Sequence, residues 1–187
     1  MAFKRSSKTY DEASLYEYAV GALGRQMRTV AEIKRLMRQR VSRQLNGDAL
    51  IEAVVERLKQ NRYLNDTNYA TVYSQYRREN EKFGRIRVVQ DLKAKGVHGD
   101  VIDKVITSAY EGVSEDKLAR EFVARKRLHQ PKDQKEAARI FRMMARAGFS
   151  SRTIVSILKK WNVETETLTA LEQERSDSED NAGSDDS

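Results

Sequence analysis

The sequence has no cysteine and only one proline, Pro131, in 187 residues. Without cysteine there is no disulfide framework, so we expect a reducing compartment, the cytoplasm. With one proline and nine glycines, little interrupts a helix. No apolar run is long enough to span a bilayer, and residues 1–6 lack the apolar core of a secretory signal. These absences predict a soluble intracellular chain, with no membrane partner, that runs from helix to helix.

Residue patterns that support catalysis are also missing. The two histidines, His98 and His129, are far apart, and neither lies at a metal-ligand spacing from carboxylates. The segments that begin at Gly84 and Gly96 lack the spacing and the Lys-Ser/Thr pair of a phosphate-binding loop. We therefore expect no metal site, no cofactor and no enzymatic activity.

The stretch from Tyr63 to Tyr110 shows the helical pattern most clearly. Three apolar stripes at helical spacing predict three short amphipathic helices. The expected inward residues are Tyr69, Val72, Tyr73 and Tyr76, then Ile86, Val89 and Leu92, then Ile102, Val105, Ile106 and Ala109. The tyrosines could also stack on nucleic-acid bases, but their spacing favours packing. Lys95-Gly96 is typical of a helix C-terminus, and Gly99-Asp100 of a new start.

The same unit recurs on both sides of this stretch. Its expected inward residues include Ile51, Val54, Val55 and Leu58 before the stretch, and Leu118, Ala119, Phe122, Ala137, Ile140, Phe141, Met144, Ile154, Ile157, Leu158 and Trp161 after it. Gly96, Val97 and Ile102 correspond to Gly148, Phe149 and Ile154 at a constant offset of 52 residues. A period near fifty with helical stripes indicates stacked helical units. We predict an all-α protein with three tandem three-helix repeats, residues 10–64, 65–112 and 113–163, that form an elongated curved stack. Residues 1–9 are predicted to be a loose basic arm.

Charge is divided unevenly along the chain. Residues 164–187 hold nine acids and one base, a net charge of −8, and since the whole chain carries +7, residues 1–163 carry +15. A body this basic favours a polyanionic partner, although Lys and Arg could also simply solvate helix faces. The acidic tail is predicted to be disordered from Glu172 onward. It either competes with phosphate for the basic body or only increases solubility.

Basic residues repeat at helical spacing opposite the apolar stripes. Such stripes can contact phosphates along a strand or the acidic grooves of a protein, without reading sequence. They comprise Arg35 and Arg38 in the first repeat, and Lys117, Arg120, Arg127, Lys135, Arg139, Arg142 and Arg146 in the third.

Three motifs in the central stretch resemble the RecX family of RecA regulators. They are Tyr63-Leu64-Asn65-Asp66 with Tyr69-Ala70, then Arg77 with Lys82-Phe83-Gly84-Arg85-Ile86, then Leu92-Lys93-Ala94-Lys95-Gly96-Val97. The likeness extends over about residues 10–163. The Asn61-Arg62-Tyr63 turn departs from a more usual glycine-containing one, and the acidic tail is outside the family pattern.

The resemblance implies a non-enzymatic regulator that lies along a RecA filament on single-stranded DNA. It further implies inhibition of ATP hydrolysis and strand exchange, and so a part in DNA repair, recombination and the SOS response. Arg77, Lys82 and Arg85 are the contact residues that the resemblance implies for the middle repeat. We expect a monomer that binds DNA without sequence preference. The alternative is a free-standing helical nucleic-acid-binding protein with no recombinase partner.

Overall fold

The computed structural model describes the backbone of residues 9–42 and 44–182, and the side chains of 9–42 and 44–177. These ranges contain helices and no strand, which confirms the predicted all-α fold. The basic arm predicted for residues 1–9 lies outside the described residues, apart from Thr9. The helices are α1 (Glu12–Leu23), α2 (Val30–Val41), α3 (Gly47–Gln60), α4 (Asp66–Glu79), α5 (Arg85–Ala94), α6 (Gly99–Ala109), α7 (Glu115–Arg125), α8 (Gln134–Arg146), α9 (Ser151–Lys160) and α10 (Thr165–Ala182).

Polar residues fix several helix starts. Before α4 the Asn65 side chain accepts a hydrogen bond from the Asn68 N–H at 2.9 Å. At five further helices a side-chain oxygen before the first turn likewise accepts a hydrogen bond from a backbone N–H, an interaction worth about 1 kcal/mol. These residues are Asp11, Thr29, Ser114, Asp133 and Ser150. Thr29 also forms a reciprocal capping box with Glu32, and Asp11 forms one with Ser14.

The chain divides into two compact units that do not follow the predicted repeats. The first unit comprises Met1–Tyr73 and Asp91–Val105, and the second comprises Ser74–Gln90 and Ile106–Ser187. Each predicted repeat contains three helices, but the unit boundaries fall inside α4, α5 and α6. The middle repeat is therefore shared between the two units.

The core of the first unit is built by the inward stripes of α1, α2 and α3. All four residues predicted to point inward on α3, Ile51, Val54, Val55 and Leu58, are at most 1% exposed. The same cluster includes Leu15, Ala19, Ala22, Ile33, Met37, Val41 and Leu64. Burial of each large aliphatic side chain contributes roughly 1.5–3 kcal/mol to stability.

A polar network, which we call the polar latch, joins the start of α2 to the parts of the middle repeat in the first unit. It consists of Thr29, Val30, Glu32, Asp66 and Lys95. The fully buried Thr29 hydroxyl donates to the Lys95 carbonyl at 2.7 Å, and the Val30 N–H donates to Asp66 Oδ1 at 2.9 Å. Lys95 Nζ lies 3.1 Å from Glu32 Oε1. Three separate segments are thus tied together by side-chain hydrogen bonds.

Burial and hydrogen bonding change the ionisation of two latch residues. Burial raises the pKa of Asp66, and the hydrogen bond from Val30 only partly opposes that effect. For Lys95, burial alone would lower the pKa, but contacts with Tyr69 and Glu32 raise it above its usual value. Lys95 Nζ also lies 5.7 Å and 5.5 Å from the ring centroids of Tyr69 and Tyr73, which are stacked on each other. Lys95 is therefore held in its charged form.

The predicted stripes of α4 and α5 were partly wrong. Val72 and Tyr76 of α4 and Ile86 of α5 are exposed by 45%, 55% and 40%. The predicted residues Tyr69 on α4 and Leu92 on α5 are buried, and so are Ala70, Ser74 and Val88, which were not predicted. Hydrophobicity alone did not reveal this face, because it uses small residues, Ala70 and Ser74, for close packing.

The second unit buries the predicted stripes of α7, α8 and α9, except that Trp161 is only partly buried. Its largest enclosed side chains are Phe122, Phe141 and Phe149, and the rings of Phe122 and Phe149 meet edge to face at 5.4 Å. The cluster also contains Leu118, Ala119, Ile140, Met144, Ala147, Ile154, Ile157, Leu158, Leu168 and Leu171.

Helix α10 corrects the prediction of a disordered tail from Glu172. The described part of that segment continues the helix to Ala182. Leu168 and Leu171 are 1% and 7% exposed in the core of the second unit, and Arg175 Nη1 donates to the Phe149 carbonyl at 3.0 Å. The prediction of disorder gave more weight to the many acidic residues of this segment than to the i, i+3, i+7 spacing of Leu168, Leu171 and Arg175. Residues 183–187 lie outside the described residues.

Two glycines bring backbone segments of the second unit into direct contact. The Gly84 N–H donates to the Ala147 carbonyl at 2.8 Å. A Cβ at Gly84 would lie 2.1 Å from the Gly148 oxygen, and one at Gly148 would lie 2.3 Å from the Arg87 nitrogen. Gly148 also has φ +89°, in the left-handed region that favours glycine. Any side chain at either position would force these segments apart.

The positions offset by 52 residues share their local structure. Gly96 and Gly148 both have positive φ values, 73° and 89°. The buried pairs that follow have closely similar exposures: Val97 5% and Phe149 0%, Ile102 1% and Ile154 0%, Val105 6% and Ile157 6%, Ile106 0% and Leu158 0%. The correspondence read from the sequence is thus matched by backbone conformation and burial.

Candidate nucleic-acid interface

Helix α8 carries the longest of the predicted basic stripes. Lys135, Arg139, Arg142 and Arg146 are all exposed, while Ala137, Ile140, Phe141 and Met144 are buried. The apolar side packs into the core of the second unit and so fixes which way the helix faces. Four cations are therefore presented to solvent along one rigid helix, an arrangement that suits successive phosphates.

Two cations of this stripe have acidic neighbours. Arg139 Nη2 lies 3.4 Å from Glu136 Oε1 on the same helix, and Arg142 Nη1 lies 3.6 Å from Glu174 Oε1 on α10. Both pairs are exposed, and exposed pairs contribute at most about 1 kcal/mol. An anionic ligand can therefore replace these acids at little cost.

Helix α7 and the turn after it present the other predicted cations of the third repeat. Lys117, Arg120 and Arg127 are exposed. Phe122, on the same helix, is buried against Phe149, so the basic face of α7 points away from the core. Arg127 follows the helix with φ 51°, a left-handed conformation that is uncommon for a residue with a side chain.

The three predicted contact residues of the middle repeat have different environments. The Arg77 guanidinium lies 5.3 Å from the centre of the Phe83 ring, and Lys82 Nζ lies 2.9 Å from Glu121 Oε2. The hydrogen bond from Lys82 is the main cause of a lowered pKa for Glu121. Arg85 is exposed. Arg77 and Lys82 therefore take part in the internal structure of the second unit, whereas Arg85 faces solvent.

The first repeat contributes Arg35 and Arg38 on α2. Both are exposed, opposite the buried Ile33 and Met37, and Arg38 Nε lies 3.6 Å from Asp48 Oδ1. These two residues belong to the first unit, and the other ten predicted contact residues belong to the second. The structure thus gathers most of the predicted site in one unit.

The sequence interpretation missed the acidic side chains placed next to the α8 stripe. Glu174 reaches Arg142 because Leu168 and Leu171 anchor α10 on the core that α8 also builds. The signal was present in the leucine spacing and in Arg175, which lies four residues after Leu171. An acidic residue of α10 therefore lies beside the basic stripe of α8 on the second unit.

A carboxylate also braces the start of α9 in this unit. Glu115 accepts hydrogen bonds from the Ser150 N–H at 2.9 Å, the Ser150 hydroxyl at 2.6 Å and the Thr153 hydroxyl at 2.8 Å. Burial alone would raise the pKa of Glu115, but these hydrogen bonds and Arg175 outweigh it, so the pKa is lowered. All these donors lie at the start of α9, where Glu115 stabilises the first turn, and we assign Glu115 a structural role.

The described residues contain neither a metal-binding cluster nor a membrane-spanning helix. Among the side chains that the structure describes, no three His, Asp or Glu residues lie close enough together to hold a metal ion. Every helix in the described ranges is too short or too polar to cross a bilayer. The exposed cations are the clearest functional feature of the described surface. In the described ranges the protein is thus all-helical and presents basic side chains that can contact phosphates.

Comparisons with known proteins identify the family. The family model described as "RecX, second three-helix domain" matches residues 65–106. The regulatory protein RecX of Myxococcus xanthus is 33% identical over 160 residues, which cover 79% of this chain and 83% of that protein. The chain belongs to the RecX family of regulatory proteins.

Two solved structures agree with this assignment at the level of the fold. A crystal structure of a regulatory protein RecX superposes with a TM-score of 0.65 at 19% identity, covering 80% of this chain and 73% of the other. RecX from Lactobacillus salivarius gives a TM-score of 0.60 at 20% identity, covering 81% of this chain and 97% of the other.

Proposed function

We propose that this protein binds the RecA filament on single-stranded DNA and inhibits its ATPase and strand-exchange activities. It does so without catalysis of its own, as a cytoplasmic monomer that modulates DNA repair and recombination. Membership in a family of regulatory proteins supports the regulatory role. The exposed α8 stripe is the observation that carries the proposed contact with the filament or its DNA.

The mechanism rests on electrostatic contact along a repeating polyanion. Lys135, Arg139, Arg142 and Arg146 project from about three turns of one helix, so several can bind at once without reordering the backbone. Each phosphate contact releases condensed counterions, which makes binding steeply dependent on salt. A protein held on the filament this way can oppose the subunit movements that accompany ATP hydrolysis.

The test measures RecA ATPase on single-stranded DNA at regulator concentrations too low to coat bare DNA. We expect the wild-type protein to inhibit and Arg139→Glu/Arg142→Glu to lose most of that inhibition. Its DNA binding should also show a salt slope lower by about 2, because two phosphate contacts are lost. Inhibition that appears only when the protein coats the DNA would support a free-standing nucleic-acid-binding protein instead.

Two further variants separate the stripe from other effects. Arg139→Glu/Arg146→Glu leaves the Arg142–Glu174 pair in place and should behave like the first variant. Lys93→Glu/Lys104→Glu changes the charge equally at exposed positions outside the stripe and should retain inhibition. Circular dichroism must show unchanged helix content in all three. Equal losses in the stripe variants and the control would reduce the effect to net charge and contradict a specific interface.

A further inference from the structure

The first unit contains a groove that the predicted contact residues do not include. It has a volume of about 280 Å³ and lies between the residues that follow α1 and the turn from α3 to α4. Met27 and Arg28 line it on one side, and Arg62, Tyr63 and Asn65 on the other. Residues of α1 and α4 complete its lining.

The chemistry of this groove combines an open aromatic surface with positive charge. Tyr63 is 52% exposed and Met27 is 48% exposed, so apolar surface faces solvent on both sides. Arg28 and Arg62 add two cations, and the described residues that line the groove include no Asp or Glu. Arg28 Nε is buried and has no hydrogen-bond partner among the described residues. An anionic ligand with a flat apolar part could contact both the exposed apolar surface and the two cations.

The backbone of Arg62 points to the same groove. Arg62 has φ 59°, in the left-handed region where glycine is unstrained and other residues are disfavoured. Other turns of this chain use glycine in that conformation, at Gly96, Gly112 and Gly148. Lys82 and Arg127, two of the predicted contact residues, share the left-handed conformation. The Arg62 N–H and the Tyr63 N–H close the end of α3 with the same hydrogen bonds that Gly96 and Val97 form at the end of α5. A glycine can therefore close such a helix end, and the fold does not itself require an arginine at this position.

We propose that this groove binds single-stranded nucleic acid, with one base stacked on Tyr63 and the neighbouring phosphates paired with Arg62 and Arg28. Stacking on an exposed ring tolerates any base, because every base has a π-face, and arginine adds the backbone contact. An acidic peptide could pair with the arginines but would not need the half-exposed ring of Tyr63. The site deepens the proposed function by assigning single-stranded DNA its own contact in the first unit, separate from the α8 stripe.

The test uses the full chain and a fluorescein-labelled oligothymidylate, with affinity measured by anisotropy across a salt titration. Tyr63→Ala should weaken binding about tenfold and leave the salt slope unchanged, because stacking releases no counterions. Tyr76→Ala is the matched control, since Tyr76 is 55% exposed and lies outside the groove. Equal affinity for wild type and Tyr63→Ala would overturn the proposal.

Arg62→Gly distinguishes a binding role from a structural one. Glycine relieves the left-handed strain, so the melting temperature should rise by about 2–4 °C. At the same time, DNA affinity should fall and the salt slope should decrease by about 1. Asn162→Gly relieves the same strain at φ 57° without removing a cation, and it should leave DNA binding unchanged. A lower melting temperature together with weaker binding would assign Arg62 to the fold and overturn its binding role.

The two proposals fail in different ways. Groove variants that bind oligothymidylate normally but no longer inhibit RecA ATPase would assign the groove to a protein partner and contradict the nucleic-acid site. A wild-type protein that binds oligothymidylate through Tyr63 and Arg62 but never inhibits RecA would contradict the proposed function and leave the groove assignment intact.

Discussion

The two compact units attach their parts of the middle repeat by different means. In the first unit the polar latch uses side chains: the Thr29 hydroxyl on the Lys95 carbonyl, the Val30 N–H on Asp66, and Lys95 on Glu32. In the second unit two backbones meet directly at Gly84 and Gly148. Side chains can adjust when one atom is altered, whereas touching backbones cannot. The second attachment should therefore be far less tolerant of substitution than the first.

The largest expected effect is at the glycine contact. Gly148→Ala places a methyl group against the Arg87 backbone at a left-handed position, and it should destabilise the second unit by on the order of 2–4 kcal/mol. Urea unfolding followed by the fluorescence of Trp161, which packs on the core of this unit, measures the change. Gly21→Ala is the control, because a Cβ there meets nothing within 4 Å. It should be neutral or slightly stabilising, and a similar midpoint for both variants would contradict the steric explanation.

A smaller effect is expected at the polar latch. Thr29→Val keeps the shape of a fully buried side chain but removes the hydroxyl that bonds Lys95 and caps α2. The loss should be about 1–2 kcal/mol, since the helix cap disappears and a buried carbonyl loses its donor. Thermal unfolding gives the stability, and hydrogen exchange at the start of α2 locates the change. Thr107→Val, at an exposed position, should stay within about 0.5 kcal/mol of wild type. A loss at Thr29 as large as that at Gly148 would remove the contrast between the two attachments.

The smallest effect on stability, with a distinct effect on binding, is expected on α10. Glu174→Gln/Asp177→Asn removes two exposed acids and should change stability by no more than about 0.5 kcal/mol. Single-stranded DNA binding should tighten several-fold at low salt, because Glu174, which pairs with Arg142, and Asp177, three residues further along α10, no longer compete with phosphate. Glu164→Gln/Glu166→Gln makes the same charge change near the start of α10. If both double variants tighten binding equally, the acids act through net charge alone and do not compete locally.

Neutralising these acids is a cleaner experiment than deleting the tail. A deletion from residue 172 would also remove Arg175, which donates to the Phe149 carbonyl in the core of the second unit. The change in DNA affinity would then combine the effects of lower stability and of altered charge. The structure thus separates the anchoring residues of α10 from its acidic ones.

The sequence predicted the helices well where the apolar side chains were large and in register. The stripes on α3 and α8 are of this kind, and every residue predicted to be inward there is buried. On α4 the prediction failed because tyrosine is amphipathic: Tyr69 is buried and Tyr76 is exposed, and the inward face is completed by Ala70 and Ser74. Small residues such as Ala70 and Ser74 are buried where another segment packs closely against them, and the sequence alone does not show which segment that is.

The candidate site was predictable in part for a similar reason. Exposure of the α8 cations follows from the apolar residues on the opposite face of the same helix. The pairing of Lys82 with Glu121 and the groove at Tyr63 depend on residues distant in the sequence, and no local pattern shows them. The left-handed φ of Arg62 was equally hidden, since nothing in the residue type indicates it.

The division of the chain at three points inside α4, α5 and α6 has a consequence for synthesis. The first unit needs Asp91–Val105 as well as Met1–Tyr73, so it cannot be completed until the ribosome has also made Ser74–Gln90 of the second unit. No cut at one position releases either unit whole. Fragments that end after α4 or begin at α5 would expose apolar faces lacking the segments that cover them, and should be prone to aggregation. The nascent chain must therefore hold an incomplete first unit while the opening segment of the second unit emerges.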